Sequence, residues 1–443
     1  MTVGETSRRL LRSWRNQTGP RVTAFQRPAI PIVVSQHLDD AAALRSVRTM
    51  LVRAPHVKLL HLDRADERLA AHLDGLSISG DYGAGLSLAA LEVPGVGQLF
   101  ISAVLAIERR DATQIDRLLS LLNVEPNAAR ALASAFGWVA PGLLRGLMAP
   151  LLASESPNAR WLGIAACAQH RVDPGSPLNA AIEQADVNLQ ARALRAAGEL
   201  GRVALLPACL AHLQDDAPNV KLAAAWSATL LGDHEIAAST LRALALSPGS
   251  VQLEALALAL FTADTDTARR LVKQLSADGT PPRTLIKAAG WAGDAQVIPW
   301  LFKYMEDDAL ARLAGESFSF ITGVDLAWFD LERKPPEEPV GSPNDDPNDN
   351  NVALDEDESL PWPDLRKLSA WWKKNSDSFP VGQRLFAGAP PTANHCFKIL
   401  NEHTQRRRMA AATYMSLFKP GSVLFNCAAP AHRQQRLLAR MGG

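Results

Sequence analysis

Six arginines near the C-terminus carry the clearest chemical signal in this chain: Arg406, Arg407 and Arg408 in a row, then Arg433, Arg436 and Arg440. A guanidinium is a planar, permanently charged fork that grips carboxylates or phosphates with two parallel hydrogen bonds. Consecutive residues on a helix point about 100° apart, so three Arg in a row cannot all face a core. The six belong to residues 362–443, which hold thirteen Lys or Arg against three Asp or Glu, a formal +10. Opposite charge lies just upstream, where Glu337 to Glu358 contains nine acidic residues and no Lys or Arg. Three uses of the arginines follow. They form a solvated face, they attract the acidic segment at the high effective concentration a tether provides, or they receive an acidic partner protein. Those six are the candidate partner-binding residues.

The remaining reactive side chains have simpler readings. Among ten His there is no H-E-x-x-H or H-x-H, and the adjacent His395 and Cys396 point in different directions on a helix, away from any common metal. Cys167, Cys209, Cys396 and Cys427 are widely spaced, without a C-x-x-C pair, and read as incidental thiols of a reducing compartment. No P-loop, dinucleotide fingerprint or G-x-S-x-G occurs. No metal, cofactor or catalytic residue is expected, and the chain reads as non-enzymatic. Trp161, Trp226 and Trp291 could stack on a base, but Ala and Leu neighbours favour packing between helices. Arg160, Lys221 and Arg283, with Gln190 and Gln252 between them, recur at one position of successive segments. They suggest a charge ladder or a solvated face more than a phosphate-binding ridge, because Glu183, Asp186, Glu199, Asp215 and Asp216 are interspersed.

These groups must be positioned by a helical array. Asn127, Asn158, Asn188, Asn219 and Ser250 are separated by 31, 30, 31 and 31 residues. Gly201, Gly232, Ala263, Gly293 and Gly323 are separated by 31, 31, 30 and 30. Two markers sharing one period indicate an internal repeat, and repeats of this length stack as solenoids. The Asn or Ser is expected to cap a helix, the Gly to close it in a left-handed turn, and Asp233, Asp264 and Asp294 to cap the next one. The 47% apolar fraction and 6% aromatics suit an all-α, Ala/Leu-rich chain of 443 residues. Net charge is zero, no apolar run reaches the ~18 residues of a membrane span, and no signal-peptide core is visible, so a cytoplasmic location is expected.

The expected organisation is a flexible arm (1–29), an atypical N-terminal cap (30–124), the repeats (125–332), an acidic Pro-rich disordered linker (333–360) and a basic helical C-terminal module (361–443).

The Gly-Asp turns and the segment Asp215 to Trp226 (DDAPNVKLAAAW) resemble HEAT-like repeats. Three further segments, DERLAAHLDGL (Asp66 to Leu76), LPWPDLRKLSAWW (Leu360 to Trp372) and RRRMAAATYMSLFKPGSVLF with APAHRQQRLL (from Arg406 and Ala429), resemble a bacterial family of HEAT-repeat-like proteins often encoded near type VI secretion genes. That resemblance implies a HEAT-like α-solenoid of about six helix pairs. It also implies a protein-binding scaffold or adaptor whose partner is a type VI effector or spike-tip component. Two alternatives stand beside it: a nucleic-acid-binding HEAT-like protein or DNA glycosylase, and an immunity protein that occludes a toxin.

Overall fold

The computed structural model describes residues 28–337 and 355–442. Most of the expected N-terminal arm and the middle of the acidic segment lie outside the described residues. The protein is all-α: among the described residues the regular elements are helices, and β pairing is confined to isolated bridges such as Glu332 with Pro363. No helix among them is long and apolar enough to cross a membrane.

The chain divides into two compact units. The first comprises Met1–Val52, Leu59–Ser227 and Gly421–Gly443; the second comprises Arg53–Lys58 and Ala228–Pro420. The expected C-terminal module, 361–443, is therefore shared between them, with 361–420 in the second unit and 421–443 in the first.

In the first unit, helices Val96–Glu108, Ala128–Trp138, Pro157–His170 and Val187–Glu199 pack in succession. Their small residues allow the close approach: Ala131, Ala135, Ala166, Ala193 and Ala196 are fully or almost fully buried. Helices Pro31–Leu51 and Leu59–Ile78 cover the N-terminal end and add Leu38, Leu69 and Leu73 to one continuous core. The first of these starts at Pro31, because Pro fits the first helical position, where its missing N–H is not needed.

In the second unit, helices Gln252–Thr262, Pro282–Ala292 and Asp308–Thr322 pack in the same successive way. Helix Leu365–Asn375 lays Leu368, Trp371 and Trp372 on their core, with both indoles edge-on to Phe318. Asp364 caps that helix by accepting from the N–H groups of Arg366 and Lys367, so it opens at Leu365, two residues after Pro363.

The turn markers behave as their chemistry requires. Gly201, Gly293 and Gly323 have φ of +66°, +71° and +73°, and the carboxylates of Asp264 and Asp294 accept from Thr267 and Gln296 N–H groups. The Asn marker is corrected. Asn158 and Asn188 are the second residues of their helices, and the caps are Ser156 and Asp186, two positions upstream. Asn127 stands at a cap position but makes no capping bond. A cap must accept from a first-turn N–H. Asn158 instead donates across to the preceding segment, to Leu122 O at 3.2 Å and Asn123 Oδ1 at 3.0 Å.

Candidate functional site

A cluster of charged side chains gathers in the second unit. Arg283 and Lys287 sit one turn apart on helix Pro282–Ala292, and Arg312 and Glu316 sit one turn apart on helix Asp308–Thr322. Side chains at i and i+4 share a helix face, and these two helices are neighbours, so the four residues form one wall. Arg406, at the start of helix Gln405–Phe418, completes it through an ion pair with Glu316 and a 3.2 Å hydrogen bond to Arg53 O.

The wall is occupied by the end of the acidic segment. Arg283 holds Asp357 in a two-pronged grip of 2.8 and 2.9 Å, Lys287 reaches Glu356 at 3.1 Å, and Arg312 reaches Asp355 at 2.6 Å. Two guanidiniums also read the main chain: Arg312 donates to Asp357 O and Arg406 to Glu356 O, each at 3.1 Å. The short acidic stretch is itself turned tightly, Asp357 N–H donating to Asp355 Oδ1 at 2.9 Å and Leu360 N–H to Asp357 O at 3.0 Å. Asp357 is 2% exposed. Beyond it, the Trp362 ring lies beneath Arg312 and Arg333, 4.6 and 5.1 Å from their guanidinium carbons. The expectation of a disordered linker over 333–360 is therefore corrected at both described ends, since Arg333 N–H also donates to Trp362 O at 2.8 Å. The physical reason is charge. A segment too polar to bury itself is held once several guanidiniums supply its hydrogen bonds.

The electrostatics follow the contacts. The hydrogen bond from Lys287, then its charge, holds Glu356 below the usual carboxylate range, and the Asp357 grip raises Arg283. Burial raises Glu316 despite the pull of Arg406 and Arg407. Burial, then Arg407, pushes His403 down to about 4, so this imidazole is neutral at pH 7.

Of the six candidate arginines, Arg406 touches the acidic stretch. Arg408 is 0% exposed and turns back to donate to Leu400 O at 2.7 Å. Arg407 is half-buried, 3.4 Å from His403 Nδ1. Arg433, in the first unit, reaches Trp138 O and Val139 O at the end of helix Ala128–Trp138 and lies 3.1 Å from His170. Arg436 and Arg440 are exposed. The triplet and the later three belong to different units.

Arg433 is one part of a pattern that sequence reasoning missed. In each unit a non-helical strap meets the ends of successive helices, where carbonyls lack helical partners. In the first unit, Leu424 N–H donates to Glu199 O at 3.1 Å and Asn426 to Gln169 O at 3.0 Å. In the second, Arg384 bonds Phe261 O and Ala263 O at 2.6 Å, Leu385 N–H bonds Gly293 O at 2.7 Å, and Ala387 N–H bonds Phe320 O at 2.7 Å. This gives the periodic glycines a second reason: a Cβ on Gly201, Gly293 or Gly323 would strike the carbonyl of Gly421, Leu385 or Ala387.

A second charged centre lies in the first unit. Glu199 pairs with Arg192, and with Arg171 and Arg195 at 3.6 and 3.8 Å. Burial alone would raise its carboxyl; Arg192, Arg171 and Arg195 overcome that and hold it below the usual range. The guanidinium of Arg195 also stacks 3.4 Å from the centre of the Trp226 ring, which is buried. That contact and the packing of Trp161 on the core place both indoles between helices. At the repeated position Arg160 bonds Gln184, Gln190 bonds Ile182 O and Gln252 bonds Ala245 O, while Arg283 pairs with Asp357 of the acidic segment. His395 meets Phe386 O, and burial pushes the Cys396 thiol up to about 12. Among the described residues no three His, Cys, Asp or Glu side chains are grouped to hold a metal.

No family model matches the chain, and no curated protein does. A solved structure of an engineered protein from the Northeast Structural Genomics Consortium is similar at 16% identity, over 72% of this chain and 98% of that one, with a TM-score of 0.30. At that score the likeness carries no argument about fold or function.

Proposed function

We infer that the chain is a non-enzymatic scaffold or adaptor that holds a protein partner. In this reading the successive helices of both units form a HEAT-like α-solenoid, whose extended surfaces are suited to binding. The observation that carries it is the cationic wall of Arg283, Lys287, Arg312 and Arg406, which grips peptide carboxylates and peptide carbonyls at once. Side chains arranged in this way recognise a polypeptide, and they favour a protein ligand over nucleic acid. The resemblance of the segments from Asp66, Leu360 and Arg406 supplies the context: a cytoplasmic accessory to type VI secretion, with an effector or spike-tip component as partner. Affinity capture of the tagged chain from its native cells tests this. Recovery of such a component supports the reading, and its absence under conditions that preserve other secretion assemblies overturns it.

A further inference from the structure

We propose that the cationic wall of the second unit is a binding site for an acidic peptide of the partner, and that Asp355–Asp357 occupies it in cis as a competing pseudo-ligand. This deepens the scaffold reading and rests on it.

Three observations lead to it. First, the occupant and the wall come from separate parts of the chain. The cations are fixed on helices Pro282–Ala292, Asp308–Thr322 and Gln405–Phe418, while the carboxylates arrive on a non-helical stretch. Second, the charges balance only with the occupant in place. Arg283, Lys287, Arg312 and Arg406 oppose Glu316, Asp355, Glu356 and Asp357, so removing the last three leaves a wall of +3. Such a surface attracts the next acidic chain available. Third, the contacts specify the ligand class. The fork on Asp357 selects a carboxylate, and the donations to Asp357 O and Glu356 O require a polypeptide backbone with acidic residues in sequence. A tethered occupant is present at an effective concentration of the order of millimolar. It therefore excludes weak acidic ligands and yields only to a partner that offers more contacts or more charge.

The test uses the full-length protein and a fluorescein-labelled synthetic peptide with the sequence of Asp355–Leu360, titrated by anisotropy at ~50 mM salt. In one variant Asp355→Asn, Glu356→Gln and Asp357→Asn neutralise the internal occupant without changing its shape. This variant should bind the peptide at least tenfold more tightly than wild type. Adding Arg283→Ala and Arg312→Ala to it should abolish binding. Equal affinity of wild type and the neutralised variant, or no binding by a variant that keeps its circular dichroism and melting transition, overturns the proposal. Should the triple variant not fold, the single change Glu356→Gln, at a side chain 65% exposed, serves instead. It should give a smaller gain, and no gain overturns the proposal equally. Tighter binding of a single-stranded oligonucleotide than of the peptide overturns the ligand class. A capture experiment that finds no partner, alongside a positive peptide titration, removes the scaffold reading and leaves the site.

Discussion

Two arginine clusters, one in each unit, use the same chemistry to different ends. At Glu199 one carboxylate serves Arg171, Arg192 and Arg195, and it comes from the same helix as two of them. On the wall of the second unit, three carboxylates serve cations on two helices, and they come from outside those helices. The Glu199 side chain is 16% exposed; on the wall Asp357 is 3% exposed, Asp355 17% and Glu356 65%. A charge that is internal to a helix and desolvated is a fixture, because the fold cannot form without placing it. A charge that arrives on a separate segment can be exchanged. Arginine content alone does not tell the two apart; the origin of the carboxylate does.

The largest expected effect lies at the fixture. Glu199→Ala leaves three guanidiniums uncompensated in a desolvated site, and loss of one partner of such a pair costs about 3–5 kcal/mol. Urea titration of the full chain measures it, and a loss under 1 kcal/mol would erase the contrast between the clusters.

Acid sharpens the same contrast. His403 titrates near 4 when folded and near 6.5 when unfolded, so the unfolded chain binds the proton first as pH falls. Stability of the second unit should therefore decline from pH 6.5 down to about 4, by up to about 3 kcal/mol. Glu199 has linkage of the same sign in a lower pH window. Its folded pKa is lowered, so its contribution is complete above the ordinary glutamate range and is lost only as pH falls through the folded value. Hydrogen exchange at pH 5 should thus show earlier opening of 405–418 than of 187–199, and His403→Gln should remove the difference.

Next in size is Gly293→Ala, which sets a Cβ at φ +71° against the carbonyl of Leu385. The left-handed backbone costs about 1–2 kcal/mol and the strap must also shift, so a loss of about 2 kcal/mol in thermal melts is expected. Glu356→Gln should cost less, under about 1 kcal/mol, since its side chain is 65% exposed and such ion pairs are screened by water. Arg436→Ala and Arg440→Ala, at exposed positions, should stay within about 0.5 kcal/mol of wild type.

How much of this was legible in the sequence depended on the range of the interaction. The thirty-residue period, the left-handed glycines and the Asp caps are local, and local chemistry writes itself into neighbouring residues. The Asn marker misled because Asn is a good cap, and its true contact, Asn158 with Leu122 and Asn123, spans more than thirty positions. The straps were invisible for a related reason: Leu424, Leu385 and Ala387 engage through main-chain N–H groups that every residue but proline possesses. Arginine runs signalled charge but not destination, and the folded chain uses Arg408 and Arg433 to satisfy carbonyls. Of the wall, Arg283 stood out by its period. Lys287 and Arg312 did not, because nothing local distinguishes a cation awaiting a distant carboxylate from one in water.

The straps carry a consequence for how such a chain changes over generations. Repeats that touch only their neighbours can be duplicated or dropped singly, since each new member meets the same two surfaces. Here Arg384, Leu385 and Ala387 are assigned to particular helix ends. Inserting one more thirty-residue copy among those helices would leave its final carbonyls unanswered and displace every later pairing. The number of helices in this stretch is therefore counted by the segment that crosses them, and lengthening the series requires rewriting that segment at the same time.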